Sequence, residues 1–190
     1  MSRFAMLKLA PVALLVGAAL ANNAHAVTQV VAFNVLNATA TLPTPLLSGD
    51  NLVLNTLVTT QTGALLQTIN FTVGAGVSNL TGQAVWEIDT ATGTGPRLIG
   101  VNIDIFNASN VLVVSDAFAG TLGGFAISTF ASAIGPGSYH LVATGTGVRD
   151  SSLDLTLEFT NAVPEPGTYG LMLAGMGLVG LLARRRRRQG

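Results

Sequence analysis

The chain contains no cysteine, and only 9% of its residues are charged. Without thiols, neither disulfide bonds nor thiolate metal sites can form. Histidine occurs twice, at His25 and His140, and aromatic residues make up 6% of the chain, which leaves few rings for catalysis or for stacking on ligands. These absences exclude disulfide-framework proteins and cysteine-ligated metal proteins.

Positive charge is scarce in the middle of the chain and concentrated at its ends. Between Val27 and Val163 the only basic residues are Arg97 and Arg149. The same segment carries eight acidic residues: Asp50, Glu87, Asp89, Asp104, Asp116, Asp150, Asp154 and Glu158. An acidic central segment argues against nucleic acid as a partner.

The N-terminal segment has the three parts of a secretory signal peptide. Arg3 and Lys8 form a basic region, an apolar run extends from Leu9 to Ala21, and Ala24-His25-Ala26 has the A-x-A form of a signal peptidase site. We predict that signal peptidase removes residues 1–26 and that the mature chain begins at Val27. The alternative is an uncleaved N-terminal membrane helix.

The C-terminal segment predicts a membrane anchor. Gly167–Ala183 contains no charged residue, and a helix of that length would extend about 25 Å, near the short limit for crossing a bilayer core. Five consecutive cations follow it, namely Arg184, Arg185, Arg186, Arg187 and Arg188. Because moving such a cluster through hydrocarbon is costly, we predict a stop-transfer signal that keeps this end in the cytoplasm.

The exported segment shows the period-two alternation of β-strands. In "SSLDLTLEFT" the residues Leu153, Leu155, Leu157 and Phe159 share one face, and polar residues share the other. Less regular strands are predicted at Gln29–Leu36, Asn51–Thr60, Val111–Ser115 and Tyr139–Thr144, with a short helix at Gly124–Ala133. Many short strands separated by Gly-rich turns predict an all-β fold, an antiparallel, jelly-roll-like β-sandwich over residues 27–162. Its predicted core consists of Ile69, Phe71, Trp86, Val101, Ile103, Leu141, Leu153, Leu155, Leu157 and Phe159.

A short internal repeat marks two further turns. "ATGTGPR" (Ala91–Arg97) recurs as "ATGTGVR" (Ala143–Arg149), and each copy precedes an alternating segment. We interpret both copies as hairpin loops, with Arg97 and Arg149 available to pair with carboxylates on neighbouring strands.

No catalytic residue, cofactor or metal site is predicted. His140 lies in a predicted strand with its side chain opposite the apolar face, which favours a solvated histidine over a catalytic base. A calcium site is the alternative to a domain without metal. Its candidate ligands are Asp104, Asp116, Asp150 and Asp154, which lack EF-hand spacing. We therefore expect the protein not to be an enzyme.

Several residues are candidates for ligand binding or for covalent modification. Phe106 and Tyr139 are candidate aromatic contacts for carbohydrate, whereas Trp86 shares a face with Ala84 and Ile88 and is assigned to the core. Asn-x-Ser/Thr sequences occur at Asn37, Asn70, Asn79 and Asn107, where glycosylation would require a host with the right transferase.

Residues 163–190 resemble the PEP-CTERM sorting signal of exported proteins in Gram-negative bacteria. The resemblance is carried by Val163, Pro164, Glu165 and Pro166, then by the apolar run to Ala183, then by Arg184–Arg188. It implies processing by exosortase, a membrane enzyme, in proteins often linked to exopolysaccharide and biofilm matrix. The preceding body, with "IGPGSYHLVATGTG" (Ile134–Gly147), is similar to the FxDxF-type group of these proteins, although the chain has no clean Phe-x-Asp-x-Phe motif.

These features together predict a non-catalytic protein of the cell surface or extracellular matrix. It would be anchored in the inner membrane during transit and then be periplasmic, on the cell surface or extracellular. Its expected partners are signal peptidase, exosortase and the membrane, with exopolysaccharide as a further candidate. The alternative function is a secreted carbohydrate-binding β-sandwich module, for which calcium is a candidate ligand.

Overall fold

Alternating apolar and polar residues form eleven β-strands over the ranges that the computed structural model describes, which are residues 26–59, 61–88 and 97–161. The strands are β1 (Thr28–Phe33), β2 (Asn37–Thr41), β3 (Asn51–Val58), β4 (Gly63–Val73), β5 (Asn79–Glu87), β6 (Leu98–Asn107), β7 (Leu112–Ser115), β8 (Ala117–Leu122), β9 (Phe125–Ala133), β10 (Gly137–Gly147) and β11 (Ser151–Thr160). Within those ranges, no helix has the length and apolar character needed to cross a membrane.

The strands form two sheets that pack face to face. One sheet has six strands in the order β1-β3-β11-β5-β9-β8, and the other has five in the order β2-β4-β10-β6-β7. Consecutive strands lie in different sheets except in the β6–β7 and β8–β9 hairpins. Almost every connection therefore crosses from one layer to the other.

The inner faces of both sheets form one apolar core, and the predicted strand faces are largely confirmed. Phe71 of the five-stranded sheet meets Phe159 of the six-stranded sheet edge to face, with ring centroids 5.9 Å apart. The largest side chains with almost no exposed surface are Phe159, Leu46, Leu52, Leu54, Ile69, Leu80, Leu98, Ile103, Ile105, Leu141, Leu153 and Leu155. All ten predicted core residues are buried except Val101, which is partly buried against the core.

A β-bulge explains why Val101 departs from the predicted pattern. Thr144 pairs with Asn102 and Thr146 pairs with Ile99, so Gly100 and Val101 together oppose the single residue Gly145. One extra residue in a strand interrupts the period-two alternation at that point. The bulge consequently turns Val101 partly out of the core.

The prediction of a purely antiparallel fold was wrong, because both sheets are mixed. Strand β1 pairs in parallel with β3, and β2 pairs in parallel with β4, whereas the other strand pairs in the described ranges are antiparallel. Strands β1 and β3 lie in the six-stranded sheet, and strands β2 and β4 lie in the five-stranded sheet. The segment β1–β2 therefore runs beside β3–β4 in the same direction and passes between the sheets in the same way. Period-two patterning reports which face a side chain occupies but not the direction of the neighbouring strand.

Two local predictions were also wrong. Gly124–Ala133 is not helical: Phe125–Ala133 forms β9, in which Ala126, Ser128 and Phe130 alternate into the buried layer. The predicted loop at Ala143–Arg149 belongs mostly to β10, which continues to Gly147 and leaves a connection of only three residues before β11. In the first copy of that repeat, residues 91–96 lie outside the described ranges.

Gly82 of β5 lies opposite Leu157 of β11, and its lack of a side chain permits close packing there. A Cβ atom at position 82 would lie 2.5 Å from the Thr156 carbonyl oxygen and 2.6 Å from Leu157 Cδ2. Both distances are well below van der Waals contact, and the first involves backbone, which cannot move without disturbing the ladder.

We predict that Gly82→Ala destabilises the protein by roughly 1–3 kcal/mol, because the added methyl group forces the two central strands apart. Denaturant unfolding of the purified mature protein measures this change. The matched control is Gly135→Ala, where a Cβ atom would meet nothing within 4 Å, so that substitution should leave stability unchanged or slightly raised. Equal stability of the two variants would show that β5 and β11 are not packed this closely.

Candidate functional site

Most residues of the predicted sorting and processing sites lie outside the described ranges. This holds for Ala24, for the Val163–Pro166 motif and for Arg184–Arg188. Ala26 is described and is exposed, one residue before the predicted mature N-terminus at Val27. The roles assigned to these residues therefore remain predictions from the sequence.

The described residues present one organised surface on the outer face of the five-stranded sheet. Strand pairing places five side chains in a line across all five strands: Thr41 opposite Asn70, Asn70 opposite His140, His140 opposite Phe106, and Phe106 opposite Leu112. We call this line the aromatic row. Directly opposed side chains in a sheet lie close enough to interact, so the row forms a continuous strip.

The centre of the aromatic row is a stacked ring pair. The rings of Phe106 and His140 lie 5.2 Å apart between centroids and are inclined by 16°. Both side chains are half-buried, so part of the pair faces solvent. Stacking holds the imidazole against its neighbour and presents a flat apolar strip flanked by the Asn70 amide and the Thr41 hydroxyl.

A cleft of about 310 Å³ opens at the end of the row formed by Thr41, Asn70 and His140, and Phe106 is not part of its lining. Thr72 and Ser138 add further polar groups, and the lining is completed by Leu42, Phe71, Ala108 and Tyr139. Hydroxyl, amide and imidazole groups can donate and accept hydrogen bonds, and the adjacent ring pair can pack against an apolar surface. This combination suits a polyhydroxylated ligand such as a sugar.

Trp86 and the second aromatic candidate, Tyr139, both pack in the core layer. Trp86 is buried, as predicted. Tyr139 stacks on Phe71 with ring centroids 5.8 Å apart, and its hydroxyl donates a hydrogen bond to the Gly135 carbonyl oxygen at 2.8 Å. Tyr139 therefore supports the fold, and Phe106 is the candidate that faces outward.

The acidic residues considered for calcium do not form one cluster, because Asp104 and Asp116 lie by the β6–β7 hairpin and Asp154 lies on β11 of the other sheet. Asp104 accepts hydrogen bonds from the Asn102 amide, at 2.7 Å, and from the Ser115 hydroxyl. Asp116 accepts the backbone N–H of Ile103 at 2.8 Å. In the part of the chain that the structure describes, no three His, Cys, Asp or Glu side chains are grouped to hold a metal ion.

The two central arginines line a second cleft of about 340 Å³, at the connection between β10 and β11. Arg97 Nε lies 3.1 Å from Glu87 Oε1, which confirms its predicted pairing with a carboxylate, and its Nη1 donates to the Asp150 carbonyl oxygen at 3.3 Å. Because this pair is partly solvated, it contributes little to stability.

The four Asn-x-Ser/Thr sequences occupy different environments. Asn37 is exposed at the start of β2, whereas Asn70, Asn79 and Asn107 are half-buried. Asn107 Oδ1 accepts the backbone N–H groups of Ser109 and Val111 at 2.9 and 3.0 Å, so this side chain closes the turn between β6 and β7. Asn107 thus has a structural role that its sequence motif does not indicate.

The aromatic row was not predicted from the sequence. Alternation in β4, β6 and β10 does place Asn70, Phe106 and His140 opposite the apolar faces, and that signal was available. The missing information was which strands are neighbours, because β4, β10 and β6 are far apart in sequence and adjacent only in the sheet.

Comparison with known proteins identifies the C-terminal tail. Residues 162–188 match the family model of the PEP-CTERM protein-sorting motif. A search of curated proteins finds no match. Among solved structures, the chain is similar to the 1.0 Å crystal structure of the pre-peptidase C-terminal domain of a collagenase from Bacillus anthracis, with 14% identity, a TM-score of 0.37, and coverage of 72% of this chain and 100% of that one.

The motif match confirms the resemblance drawn from the sequence of the tail. A PEP-CTERM motif implies an exported protein that transits the membrane and has exosortase as its processing partner. The functional element that the comparisons identify is therefore in the tail, outside the two sheets.

Asp154 is an acidic residue on the outward face of β11. Partial burial raises the pKa of its carboxyl group above the ordinary value of an aspartate. A raised pKa means that the folded state binds the proton more tightly than the unfolded chain does. Ionisation of Asp154 therefore lowers stability as the pH rises from about 3.9, the unfolded-state value, through the higher folded-state value.

We predict that Asp154→Asn raises the free energy of unfolding at pH 7 by at most about 0.5 kcal/mol, because solvent screens an exposed carboxylate. Unfolding in urea between pH 3 and pH 7 measures the effect, and the variant should lose less stability over this interval than the wild type. Glu158→Gln, on the same face of the same strand, controls for the loss of one negative charge. A decrease in stability at pH 7 for Asp154→Asn would contradict the prediction.

Proposed function

We propose that this is a non-catalytic exported protein of the cell surface or extracellular matrix, sorted and processed by exosortase through residues 163–190. The observation that carries the proposal is the match of residues 162–188 to the PEP-CTERM protein-sorting motif. The acidic exported segment and the basic tail agree with a domain that crosses the membrane and a tail that stays behind.

The chemistry of the tail supports processing just outside the membrane. Proline disfavours helix, so Pro164 and Pro166 are residues expected to leave the motif accessible to an enzyme. Glu165 lies between them on the exported side, where a cationic pocket could recognise it. Arg184–Arg188 resist translocation and attract anionic lipid, which holds the tail in place during cleavage.

The exported domain, in this proposal, is a jelly-roll-like β-sandwich that serves as a binding or structural module. Its support is the strand order: β3-β11-β5-β9 faces β4-β10-β6-β7, and successive strands of this set change sheet except at the β6–β7 hairpin. That order corresponds to two interleaved Greek keys, with β1, β2 and β8 added at the edges.

We predict that two tail variants fail in different ways. Replacing Pro164, Glu165 and Pro166 with alanine should leave uncleaved protein in the membrane, because exosortase loses its recognition site while the arginines still anchor the tail. Replacing Arg184–Arg188 with serine should release some full-length protein into the periplasm or medium. Fractionation and immunoblotting in hosts with and without exosortase measure both outcomes.

The exosortase-deficient host is the control, since wild-type protein should accumulate there at full length in the membrane. Normal processing of the alanine variant would show that the motif is an ordinary proline-rich linker. In that case the proposed sorting would be wrong.

A second candidate function is carbohydrate binding, and the aromatic row favours it. The stacked rings of Phe106 and His140, the Asn70 amide and the adjacent cleft lie together on one sheet face. An extended polysaccharide could lie along such a strip, with a sugar ring against the aromatic pair. This activity is compatible with a matrix protein and would supply its contact with exopolysaccharide.

We predict that Phe106→Ala weakens polysaccharide binding by roughly 3- to 10-fold, the equivalent of about 0.7–1.4 kcal/mol for a lost aromatic contact. Affinity electrophoresis in gels containing exopolysaccharide from the producing strain measures it, with and without a chelator to test for calcium dependence. Phe118→Ala is the matched control, because Phe118 is 65% exposed on β8 of the other sheet. Equal affinity of both variants would exclude the row as the binding surface.

A further inference from the structure

Asp50 is a buried carboxylate at the start of β3. Its side chain belongs to a residue that is only 4% exposed. Oδ1 accepts the backbone N–H of Val27 at 2.7 Å, and Oδ2 accepts the backbone N–H of Leu47 at 2.8 Å. A carboxylate in such surroundings normally has a cation as its partner, since hydrogen bonds to neutral amides replace only part of the lost hydration.

The nitrogen of Val27 and the carboxylate of Asp50 are both held by backbone hydrogen bonds. The Val27 carbonyl oxygen accepts the N–H of Asn51 at 2.9 Å, so the beginning of the exported segment is fixed against β3. The Asp50 carbonyl oxygen accepts the N–H of Phe159 at 3.0 Å, and the Gly49 N–H donates to the Phe159 carbonyl oxygen at 2.7 Å. The short distance between Val27 N and Asp50 Oδ1 is therefore built into the sheet.

The basic side chains of the exported domain lie at the other end of the six-stranded sheet. Arg149 lies in the short connection just before β11 begins, whereas Asp50 lies beside Phe159 near the end of that strand. The strand between Ser151 and Phe159 extends roughly 27 Å at about 3.3 Å per residue. Neither arginine of the domain is placed to serve as the cation for Asp50, because Arg97 lines the same cleft as Arg149.

We propose that Asp50 is the receptor for the α-ammonium group of the mature N-terminus at Val27. Hydrolysis of the Ala26–Val27 peptide bond by signal peptidase adds one water molecule. Ala26 leaves with a new carboxylate, and the nitrogen of Val27 becomes an ammonium group at neutral pH. The neutral N–H donor beside Asp50 is thereby replaced by a cation at the same position, and cleavage completes an ion pair with a buried carboxylate.

This inference shares with the proposed function only the requirement for export and signal-peptide cleavage. The position of the cut decides whether this pair forms. Removal of residues 1–26 places the new ammonium group of Val27 beside the Asp50 carboxylate, whereas a cut at another position does not. Cleavage at the predicted site and folding of the domain thus become coupled.

The composition of the mature chain supplies a specific probe. Lys8 is the only lysine in the sequence, and it leaves with the predicted signal peptide. The α-amino group of Val27 is then the one primary amine of the mature protein. An amine-reactive ester therefore reports on this group alone, and only its neutral form reacts.

We predict that the full mature protein, purified from membranes, reacts with an N-hydroxysuccinimide ester about tenfold more slowly when folded than in urea at the same pH near 7.5. A neighbouring carboxylate raises the pKa of an amine by about one unit or more, which lowers the reactive fraction tenfold. Asp50→Asn, which keeps the size and an acceptor oxygen but removes the charge, should react at nearly the unfolded rate. Glu158→Gln is the control and should react as slowly as the wild type.

A second measurement uses wild-type protein alone, in case Asp50→Asn does not fold. Acetylating Val27 in urea and refolding restores a neutral amide at this position, and we expect the unfolding equilibrium to shift severalfold toward the unfolded state. Equal labelling rates in folded and unfolded protein, together with unchanged stability after acetylation, would overturn the proposal. N-terminal sequencing that finds a start other than Val27 would also overturn it, while leaving sorting through the tail unaffected.

Discussion

The apolar layer between the two sheets is the interaction on which the rest of the structure depends. The chain has no disulfide to close its loops, and its consecutive strands mostly lie in different sheets, so burial across this layer is what holds them together. The layer contains one satisfied polar link between the sheets. Thr56 Oγ1 donates to Gln67 Oε1 at 2.7 Å, and Gln67 Nε2 donates to the Val35 carbonyl oxygen at 2.8 Å, which ties β3, β4 and the β1–β2 connection together without leaving these groups unpaired.

Because the core occupies the inner faces of both sheets, a ligand can be bound only at the outer faces or at the ends of the strands. The aromatic row uses an outer face, where the stacked pair of Phe106 and His140 can meet a ligand without disturbing the packing beneath. The sorting motif lies in a separate segment of the chain, at residues 162–188. The binding proposed for the aromatic row and the sorting proposed for the tail therefore rest on different parts of the sequence.

The two ends of the exported domain meet at Asp50. Its side chain holds the nitrogen of Val27, and its backbone carbonyl holds Phe159, close to the point where β11 ends and the sorting tail begins. The predicted mature N-terminus and the end of β11 therefore lie at the same end of the six-stranded sheet. Pairing of a charged N-terminus with Asp50 would fasten this end after the signal peptide is removed.

Period-two alternation is a local property of a strand, so Leu153, Leu155, Leu157 and Phe159 could be assigned to the core from the sequence, with no knowledge of their neighbours. The tail could be recognised in the same way, since an ordered motif, an apolar run and an arginine cluster are local features. The fold was needed to find the parallel pairing of β1 with β3 and of β2 with β4, the bulge that turns Val101 outward, the alignment of Asn70, His140 and Phe106, and the meeting of Val27 with Asp50. The physical reason is that backbone hydrogen bonds are nearly indifferent to side-chain identity, so the partner and direction of a strand emerge from how the whole chain closes its core.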